Sequence, residues 1–191
     1  MNAGFSGFDP AVCLPSLAAG EIALFCLQLS SFVRSPALEV WLDDEERLRL
    51  SRFKVAADAT AFLAGRVVLR SCLETILKET TVDLALSPQG KPFCTHAEAP
   101  AFNLSHGGGW LAVAFCLDTP IGVDLENLQR ELPYETLARR YFSDREIQEV
   151  TEKGKEAFMH FWTRKEARLK ASGEGLRVRL AELDPDRKSV V

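Results

Sequence analysis

The sequence predicts an α+β protein whose chain divides into two halves near Asp118. The main observation is that strand-like and helix-like hydrophobic patterns alternate twice along its 191 residues. Hydrophobic residues make up 47% and charged residues 26%, a composition typical of a globular protein with a sizeable core. We therefore expect an N-terminal half over residues 1–118 and a C-terminal half over residues 119–191.

The N-terminal half begins with a predicted strand at Glu21–Leu29, followed by helices at Leu38–Lys54 and Ala56–Lys78. In the second helix, apolar residues recur at helical spacing and define a buried face, namely Phe62, Leu69, Leu73 and Ile76. Arg66 falls within the same stripe. Because burying an isolated charge is prohibitive, Arg66 must meet a partner or a bound anion.

The remainder of this half is predicted to be a turn and two strands. Glycine and proline mark the turn at Pro88–Pro92. The strands are expected at Ala101–Leu104 and Trp110–Leu117, and the three glycines Gly107–Gly109 form a tight connection between them.

The C-terminal half is predicted to start with a strand at Ile121–Glu126 and then to be mostly helical. Its helices are expected at Pro133–Tyr141, Ser143–Glu152 and Lys155–Ser172. Ser143 and Glu146 have the spacing of a capping box, which marks a helix start. One short strand is expected at Leu176–Leu183, so this half is short of strands compared with the first.

Charge, apolar run length and cysteine usage exclude several classes of protein. The 23 basic and 27 acidic residues give a net charge of −4, which argues against nucleic-acid and membrane-surface binding. The longest apolar run, Leu111–Leu117, is far shorter than the about 20 residues of a membrane span. Five scattered cysteines without a C-x-x-C motif favour a reducing, cytoplasmic location.

Asp124 and Glu126 are the first residues that could carry chemistry. On a strand of period two they share one face, while Ile121, Val123 and Leu125 share the other. Two adjacent carboxylates are common on a solvated outer face. They are also the oxygen ligands that Mg²⁺ takes when it binds together with substrate phosphates. The pattern alone leaves both interpretations open.

The predicted helix at Lys155–Ser172 carries three charged residues that matter to the argument. Glu166 and Lys170 are four positions apart, so their side chains can meet, and simple helix stabilisation would explain them. Lys165 instead lies on the apolar stripe formed by Phe158, Phe161 and Leu169. We therefore expect Lys165 to be partly buried and paired, with Asp124 and Glu126 as candidate partners.

The segment Asn103–Gly109 follows a predicted strand and combines Ser105, His106 and three glycines. A hydroxyl, an imidazole and approachable backbone N–H groups suit a phosphate oxygen, although such a segment is also common as a plain turn. Ser105 and His106 are adjacent, so on a strand they point to opposite faces. That geometry argues against a nucleophile–base dyad between them.

Four motifs in this order resemble those of the 4′-phosphopantetheinyl transferases of the surfactin-synthetase-activating type. They are Gly90-Lys91-Pro92, Phe102-Asn103-Leu104-Ser105-His106, Ile121-Gly122-Val123-Asp124-Leu125-Glu126 and Phe161-Trp162-Thr163-Arg164-Lys165-Glu166-Ala167. Each motif alone is weak evidence. Their shared order and spacing make the resemblance strong from about Leu48 to Gly175.

The resemblance implies a Mg²⁺-dependent transferase that moves the phosphopantetheine arm of coenzyme A onto a serine of an apo acyl- or peptidyl-carrier protein. Three carboxylates match the family's Mg²⁺ ligands, namely Asp124, Glu126 and Glu166. Glu166 also matches the residue that removes the serine proton, and Lys170 matches the one that steadies the pyrophosphate. The positions that hold coenzyme A are matched by Arg49, Arg66, Lys91, Pro92, Ser105, His106 and Lys170.

The family fold implied is a pair of similar halves related by pseudo-twofold symmetry, with the site between them. We expect a monomer or weak self-association through an edge of the under-built second sheet. The alternative is a non-catalytic relative that binds coenzyme A or a carrier protein. That alternative is favoured by the short C-terminal half and by Ala61, where many relatives carry an arginine nearby.

Overall fold

A three-stranded antiparallel sheet backed by a long helix forms the N-terminal half. The computed structural model describes residues 17–173 and 180–183. Its main sheet contains β1 (Ile22–Gln28), β4 (Ala101–Gly107) and β5 (Trp110–Cys116), with β5 in the centre. Two shorter strands, β2 (Leu84–Leu86) and β3 (Pro92–Cys94), form a separate hairpin. The helices of this half are α1 (Asp44–Ser51) and α2 (Ala56–Leu77).

Helix α2 supplies most of the core of this half. Its apolar side chains Leu63, Leu69 and Leu73 are fully buried and pack with Val113 and Phe115 of the sheet. Each such side chain contributes about 1.5–3 kcal/mol by leaving water. The helix predicted at Ala56–Lys78 is thereby confirmed, and its buried face anchors it against the sheet.

One prediction for the N-terminal half was wrong in detail, and one hairpin was missed. Helix α1 begins at Asp44 rather than near Leu38, and Pro36–Trp41 is a 3₁₀ turn. The start is set by Asp43, whose carboxylate accepts a hydrogen bond from the amide of Glu46 at 2.8 Å, while Glu46 accepts one from the amide of Asp43. The turn at Pro88–Pro92 closes the β2–β3 hairpin, whose strands had not been predicted.

Three helices packed through aromatic side chains make up most of the described chain after residue 132, as predicted. They are α3 (Tyr134–Tyr141), α4 (Asp144–Lys153) and α5 (Lys155–Ser172). Phe158 of α5 stacks on Phe142 and on Trp162, with ring centroids 5.1 and 5.6 Å apart. A carboxylate oxygen of Glu146 accepts hydrogen bonds from the amide and hydroxyl of Ser143, which fixes the start of α4.

The strand predicted at Ile121–Glu126 does not form, although this segment lies beside β4. Its amides are held by side chains instead of by a backbone ladder. Val123 N donates to Oδ1 of Asn103 at 2.9 Å, and Leu125 N donates to Oγ of Ser105 at 3.2 Å. Because Asn103 and Ser105 alternate along β4, their spacing matches every second amide of the segment.

The strand predicted at Leu176–Leu183 lies partly outside the described residues, and its described end, Leu180–Glu182, is a 3₁₀ turn. Residues 119–173 and 180–183 contain no strand, so the pseudo-twofold relation between the halves stays a prediction. In the described part of the chain, no helix is long and apolar enough to cross a membrane.

Candidate active site

The residues with predicted roles in metal binding meet where the extended segment 121–126 passes between β4 and α5. Close approach of the segment to the helix depends on Gly122, because a Cβ there would overlap the carbonyl oxygen of Ala167 and the amide of Ala171. Gly107 has a similar role on the other side, where a Cβ would lie 2.5 Å from the carbonyl oxygen of Leu125. The two glycines therefore let the segment fit tightly between sheet and helix.

Asp124 is the most enclosed carboxylate of this group, with its side chain 7% exposed. Its Oδ1 accepts hydrogen bonds from the ammonium of Lys170 at 2.6 Å and from the hydroxyl of Ser105 at 3.0 Å. Its Oδ2 is buried and has no hydrogen-bond partner among the described residues. Asp124 therefore has one satisfied oxygen and one available acceptor.

Glu126 is held by two donors that sequence reasoning missed. The indole N–H of Trp162 donates to its Oε1 at 3.2 Å, and the guanidinium of Arg130 donates to its Oε2 at 3.4 Å. The Trp162 ring is itself fixed by its stack on Phe158. An indole on the edge of an otherwise apolar helix stripe was the available signal, since a buried indole N–H needs an acceptor.

Glu166 lies half-buried on α5 within electrostatic range of both carboxylates. Burial raises the pKa of Glu166 above its ordinary value, Asp124 and Glu126 raise it further, and Lys170 lowers it. The structure thus brings Asp124, Glu126, Glu166 and Lys170 together. Three acidic side chains and one ammonium share this small region.

No group of three or more His, Cys, Asp or Glu side chains in residues 17–173 and 180–183 is arranged to hold a metal ion as it stands. The donor set nevertheless fits Mg²⁺. Hard cations take carboxylate oxygens, and Asp124 offers one in its buried, unpartnered Oδ2. The carboxyl group of Glu166, whose pKa is raised, lies in the same region. The residues present therefore suit the ion that the sequence predicts.

Two adjoining cavities form a cleft next to these side chains. The first, about 420 Å³, is lined by Asp124, Glu126 and Lys170, and the second, about 310 Å³, by Arg49 and Arg66. Both cavities are lined by Leu104, Ser105 and His106. The cleft therefore has a carboxylate-rich end and a guanidinium-rich end, with Ser105 and His106 between them.

The guanidinium-rich end is built on Phe62 of α2. The Arg49 and Arg66 guanidinium carbons lie 5.1 and 5.3 Å from the centre of its ring. Arg66 also forms an ion pair with Glu46, Nε to Oε1 being 2.6 Å, and Glu46 binds Arg70 as well. The partner expected for the buried Arg66 is therefore Glu46, and burial lowers the pKa of Arg66.

Lys91 lies outside this cleft. Its ammonium donates to the carbonyl of Lys170 at 2.6 Å and to those of Ala171 and Ile121 at 3.3 Å. Lys91 lines neither cavity of the cleft, whereas the adjacent Pro92 lines the guanidinium-rich one. Burial lowers the pKa of Lys91.

Lys165 is paired, as predicted, but it is almost completely buried instead of partly buried, and its predicted partners were wrong. Its ammonium lies 2.9 Å from Oε1 of Glu146, not beside Asp124 or Glu126. It also donates to the carbonyls of Leu180 and Leu183 at 2.6 and 2.7 Å. The sequence could not locate these partners, because they come from another helix and from the chain beyond α5.

Comparison with known proteins places the chain in a family. The model described as 4′-phosphopantetheinyl transferase, N-terminal, matches residues 35–117. The model described as the 4′-phosphopantetheinyl transferase superfamily matches residues 120–190. The chain belongs to the 4′-phosphopantetheinyl transferase superfamily, so the resemblance seen in the four sequence motifs is confirmed.

Curated relatives agree with this assignment. The 4′-phosphopantetheinyl transferase Sfp of Bacillus subtilis (strain 168) is 33% identical over 142 residues, 71% of this chain and 62% of the relative. The 4′-phosphopantetheinyl transferase HetI of Nostoc sp. is 34% identical over 156 residues, 77% of this chain and 65% of the relative. The 4′-phosphopantetheinyl transferase ffp of Bacillus subtilis is 35% identical over 139 residues, 69% and 60% respectively. The chain thus spans 60–65% of the length of these relatives.

Proposed function

We propose that this protein transfers the 4′-phosphopantetheine arm of coenzyme A to a serine of an apo acyl- or peptidyl-carrier protein. In this reaction the serine oxygen bonds to the phosphorus next to the pantetheine, the pyrophosphate P–O bond breaks, and adenosine 3′,5′-bisphosphate leaves with the electron pair. The observation that carries the proposal is one cleft lined by Asp124, Glu126 and Lys170 and, at its other end, by Arg49 and Arg66, with the half-buried Glu166 coupled electrostatically to Asp124, Glu126 and Lys170.

Glu166 is the proposed acceptor of the serine proton. A carboxylate whose pKa is raised by burial and by neighbouring acids is a stronger base than an ordinary glutamate. Its place near Asp124, Glu126 and Lys170, three side chains that line the larger cavity, supports transfer from the hydroxyl, either directly or through one water. The proton then resides on a carboxylate oxygen of Glu166.

Binding of coenzyme A is assigned to the rest of the cleft. Lys170 presents its ammonium to the larger cavity and would neutralise charge on the pyrophosphate as it develops. Hydrogen-bond donors toward the other end, where a phosphate would be neutralised, come from Arg49, Arg66, Ser105 and His106. This arrangement would hold the substrate extended along the cleft and exclude water from its phosphates.

We propose that Asp124, Glu126 and Glu166 hold Mg²⁺. When bound there, the ion would offset the negative charge of the pyrophosphate oxygens and favour in-line displacement. Ser105 and Lys170 fix Asp124, and Trp162 and Arg130 fix Glu126, so this chain already orients two of the three ligands.

The two-half organisation is also proposed, with a boundary between residues 118 and 119. One apolar cluster includes Leu69 and Phe115, a second is centred on Phe158, and a small third joins Ala114 to Ile121. Separate cores on either side of a short junction support two domains and, with the family assignment, a pseudo-twofold relation between them. Cys26, Cys94 and Cys116 are thiols, which supports the proposed cytoplasmic location.

The experiment combines the protein with coenzyme A, Mg²⁺ and an apo-carrier protein, and the carrier is then weighed. Transfer adds about 340 Da to the carrier, the mass of the arm moved in this phosphoryl-transfer reaction. Chelation of the metal should abolish the addition. Binding of coenzyme A without any gain in carrier mass would contradict catalysis and support the non-catalytic alternative.

A further inference from the structure

Lys91 connects the two halves of the chain at a point outside the cleft. Its backbone is fixed in the turn before β3, where its amide donates to Oγ of Ser87 at 3.1 Å and its carbonyl accepts from the amide of Ser87. From there the side chain reaches the end of α5. The three carbonyls that it contacts belong to Ile121, Lys170 and Ala171, which are 30 to 80 positions away in the chain.

The end of a helix is a favourable place for this ammonium. The last four carbonyls of a helix lack partners within it and carry the negative end of its dipole. Lys170 and Ala171 supply two of those carbonyls, since α5 ends at Ser172 and Gly173 caps it. Ile121 supplies the third from the start of the segment that carries Asp124.

We propose that Lys91 is a positioning residue that clamps the last turn of α5 and the start of segment 121–126 to the N-terminal half. The clamp fixes the backbone of Lys170, and so directs the Lys170 side chain toward Asp124 and Ser105. This inference rests on the proposed function, because it assigns Lys91 to the alignment of that site instead of to a phosphate of coenzyme A.

The two roles for Lys91 differ in the acceptors to which its ammonium donates hydrogen bonds. In the structure the three N–H groups match the three carbonyl acceptors, at 2.6, 3.3 and 3.3 Å. Neither cavity of the cleft is lined by Lys91. A phosphate contact would require the ammonium to give up at least one of these three carbonyls.

The test compares Lys91→Met, which keeps the length of the side chain without its charge, with Lys91→Arg, which can still donate to carbonyls. Lys153→Met is the matched control, because Lys153 is exposed and pairs with Glu149 in its own helix. Affinity for coenzyme A, turnover with an apo-carrier protein and amide hydrogen exchange of residues 165–173 are measured for each. If Lys91→Met does not fold, Lys91→Gln replaces it.

For Lys91→Met we expect turnover to fall about tenfold or more, as for loss of a group that orients catalytic side chains. Affinity for coenzyme A should stay within about twofold, and amides of the last turn should exchange about tenfold faster. Lys91→Arg should retain most of the turnover and most of the protection of these amides from exchange. The opposite pattern, weaker coenzyme A binding with unchanged turnover and exchange, would overturn the clamp. Absence of transfer by the unmodified protein would refute the proposed function alone, since exchange still tests the clamp.

Discussion

The ammonium of Lys170 lies 2.6 Å from Oδ1 of Asp124, a residue 46 positions earlier in the chain. The same ammonium contacts Oγ of Ser105 at 2.9 Å. One side chain of α5 therefore ties together the helix, the segment 121–126 and strand β4. Lys170 thus has a structural role in the protein as well as its proposed role toward the pyrophosphate.

Removing the carboxylate of Asp124 should destabilise the protein. In Asp124→Ala, the partly buried Lys170 ammonium loses its charged partner, so we expect a loss of about 1–3 kcal/mol in the free energy of unfolding. Urea denaturation of Asp124→Ala, Lys170→Met and the double variant measures this. A coupling energy near zero between the two substitutions would show that the pair contributes nothing.

Replacing Glu166 by glutamine should separate binding from proton transfer. Glu166→Gln keeps the shape of the side chain and one oxygen, but it cannot take up the serine proton. We expect coenzyme A binding to persist and turnover to fall about 10²-fold or more. Calorimetry and the carrier assay together check this. Full turnover in Glu166→Gln would exclude Glu166 as the base.

The raised pKa of Glu166 also predicts a pH-dependent difference in stability without metal. Its folded pKa lies above the ordinary value of 4.5, so the folded state holds the proton more tightly than the unfolded state. That contribution is fully present below pH 4.5 and is lost as the pH rises through the folded pKa. With a chelator present, the melting temperature of Glu166→Gln minus that of the unmodified protein should therefore increase with pH. The exposed Glu156, changed to glutamine, is the control, and an equal pH response in both variants would contradict the prediction.

Gly122→Ala should be much more harmful than another glycine-to-alanine change. The added methyl group would overlap backbone atoms of Ala167 and Ala171, so helix and segment must separate, at a cost of about 1–3 kcal/mol. Gly65→Ala is the comparison, because its methyl group would meet Leu104 and Leu111 at 3.8 Å, an ordinary contact. Inside helix α2, that change should stabilise by up to about 1 kcal/mol. Thermal unfolding of the two variants checks the difference in sign.

Trp162→Phe should weaken metal binding while preserving the aromatic stack. Phenylalanine can still pack on Phe158, but it cannot donate to Glu126, so this ligand loses one of its two orienting contacts. Loss of such a contact typically costs about 10–100-fold in metal affinity. Calorimetric titration with Mg²⁺ measures it, with Trp110→Phe as the control because Trp110 is exposed on β5. Equal affinities in the two variants would contradict an orienting role for Trp162.

Local sequence patterns predicted helix α5 from its first residue to its last, because an apolar stripe and Gly173 define the helix together. The same patterns predicted that Lys165 is partly buried and paired, whereas it is almost completely buried. They could not identify Glu146 or the carbonyls of Leu180 and Leu183 as its partners, since these contacts depend on how distant parts of the chain pack.

The residues of the candidate site could be predicted from the sequence, but the contacts that hold them in place were harder to predict. The alternation of side chains along residues 121–126 predicted that Asp124 and Glu126 lie together. The predicted strand pairing is absent, however, and backbone amides of this segment instead donate hydrogen bonds to the side chains of Asn103 and Ser105. Side-chain acceptors leave no periodic signature in the segment that they hold. Strands β2 and β3 were missed because three residues are too few to show a period of two.

Glu146 makes one contact within its own helix and one with a residue of another helix. One of its oxygens accepts from Ser143, a contact within a single turn of α4, whereas the other pairs with Lys165, which in turn holds Leu180 and Leu183. Closing a short loop costs less entropy than closing a long one, so the contact with Ser143 should form early and the docking of residues 180–183 last. In Glu146→Gln, refolding followed by pulsed hydrogen exchange should show late protection lost around residues 180–183. Unchanged protection there would mean that the end of the described chain docks independently of this carboxylate.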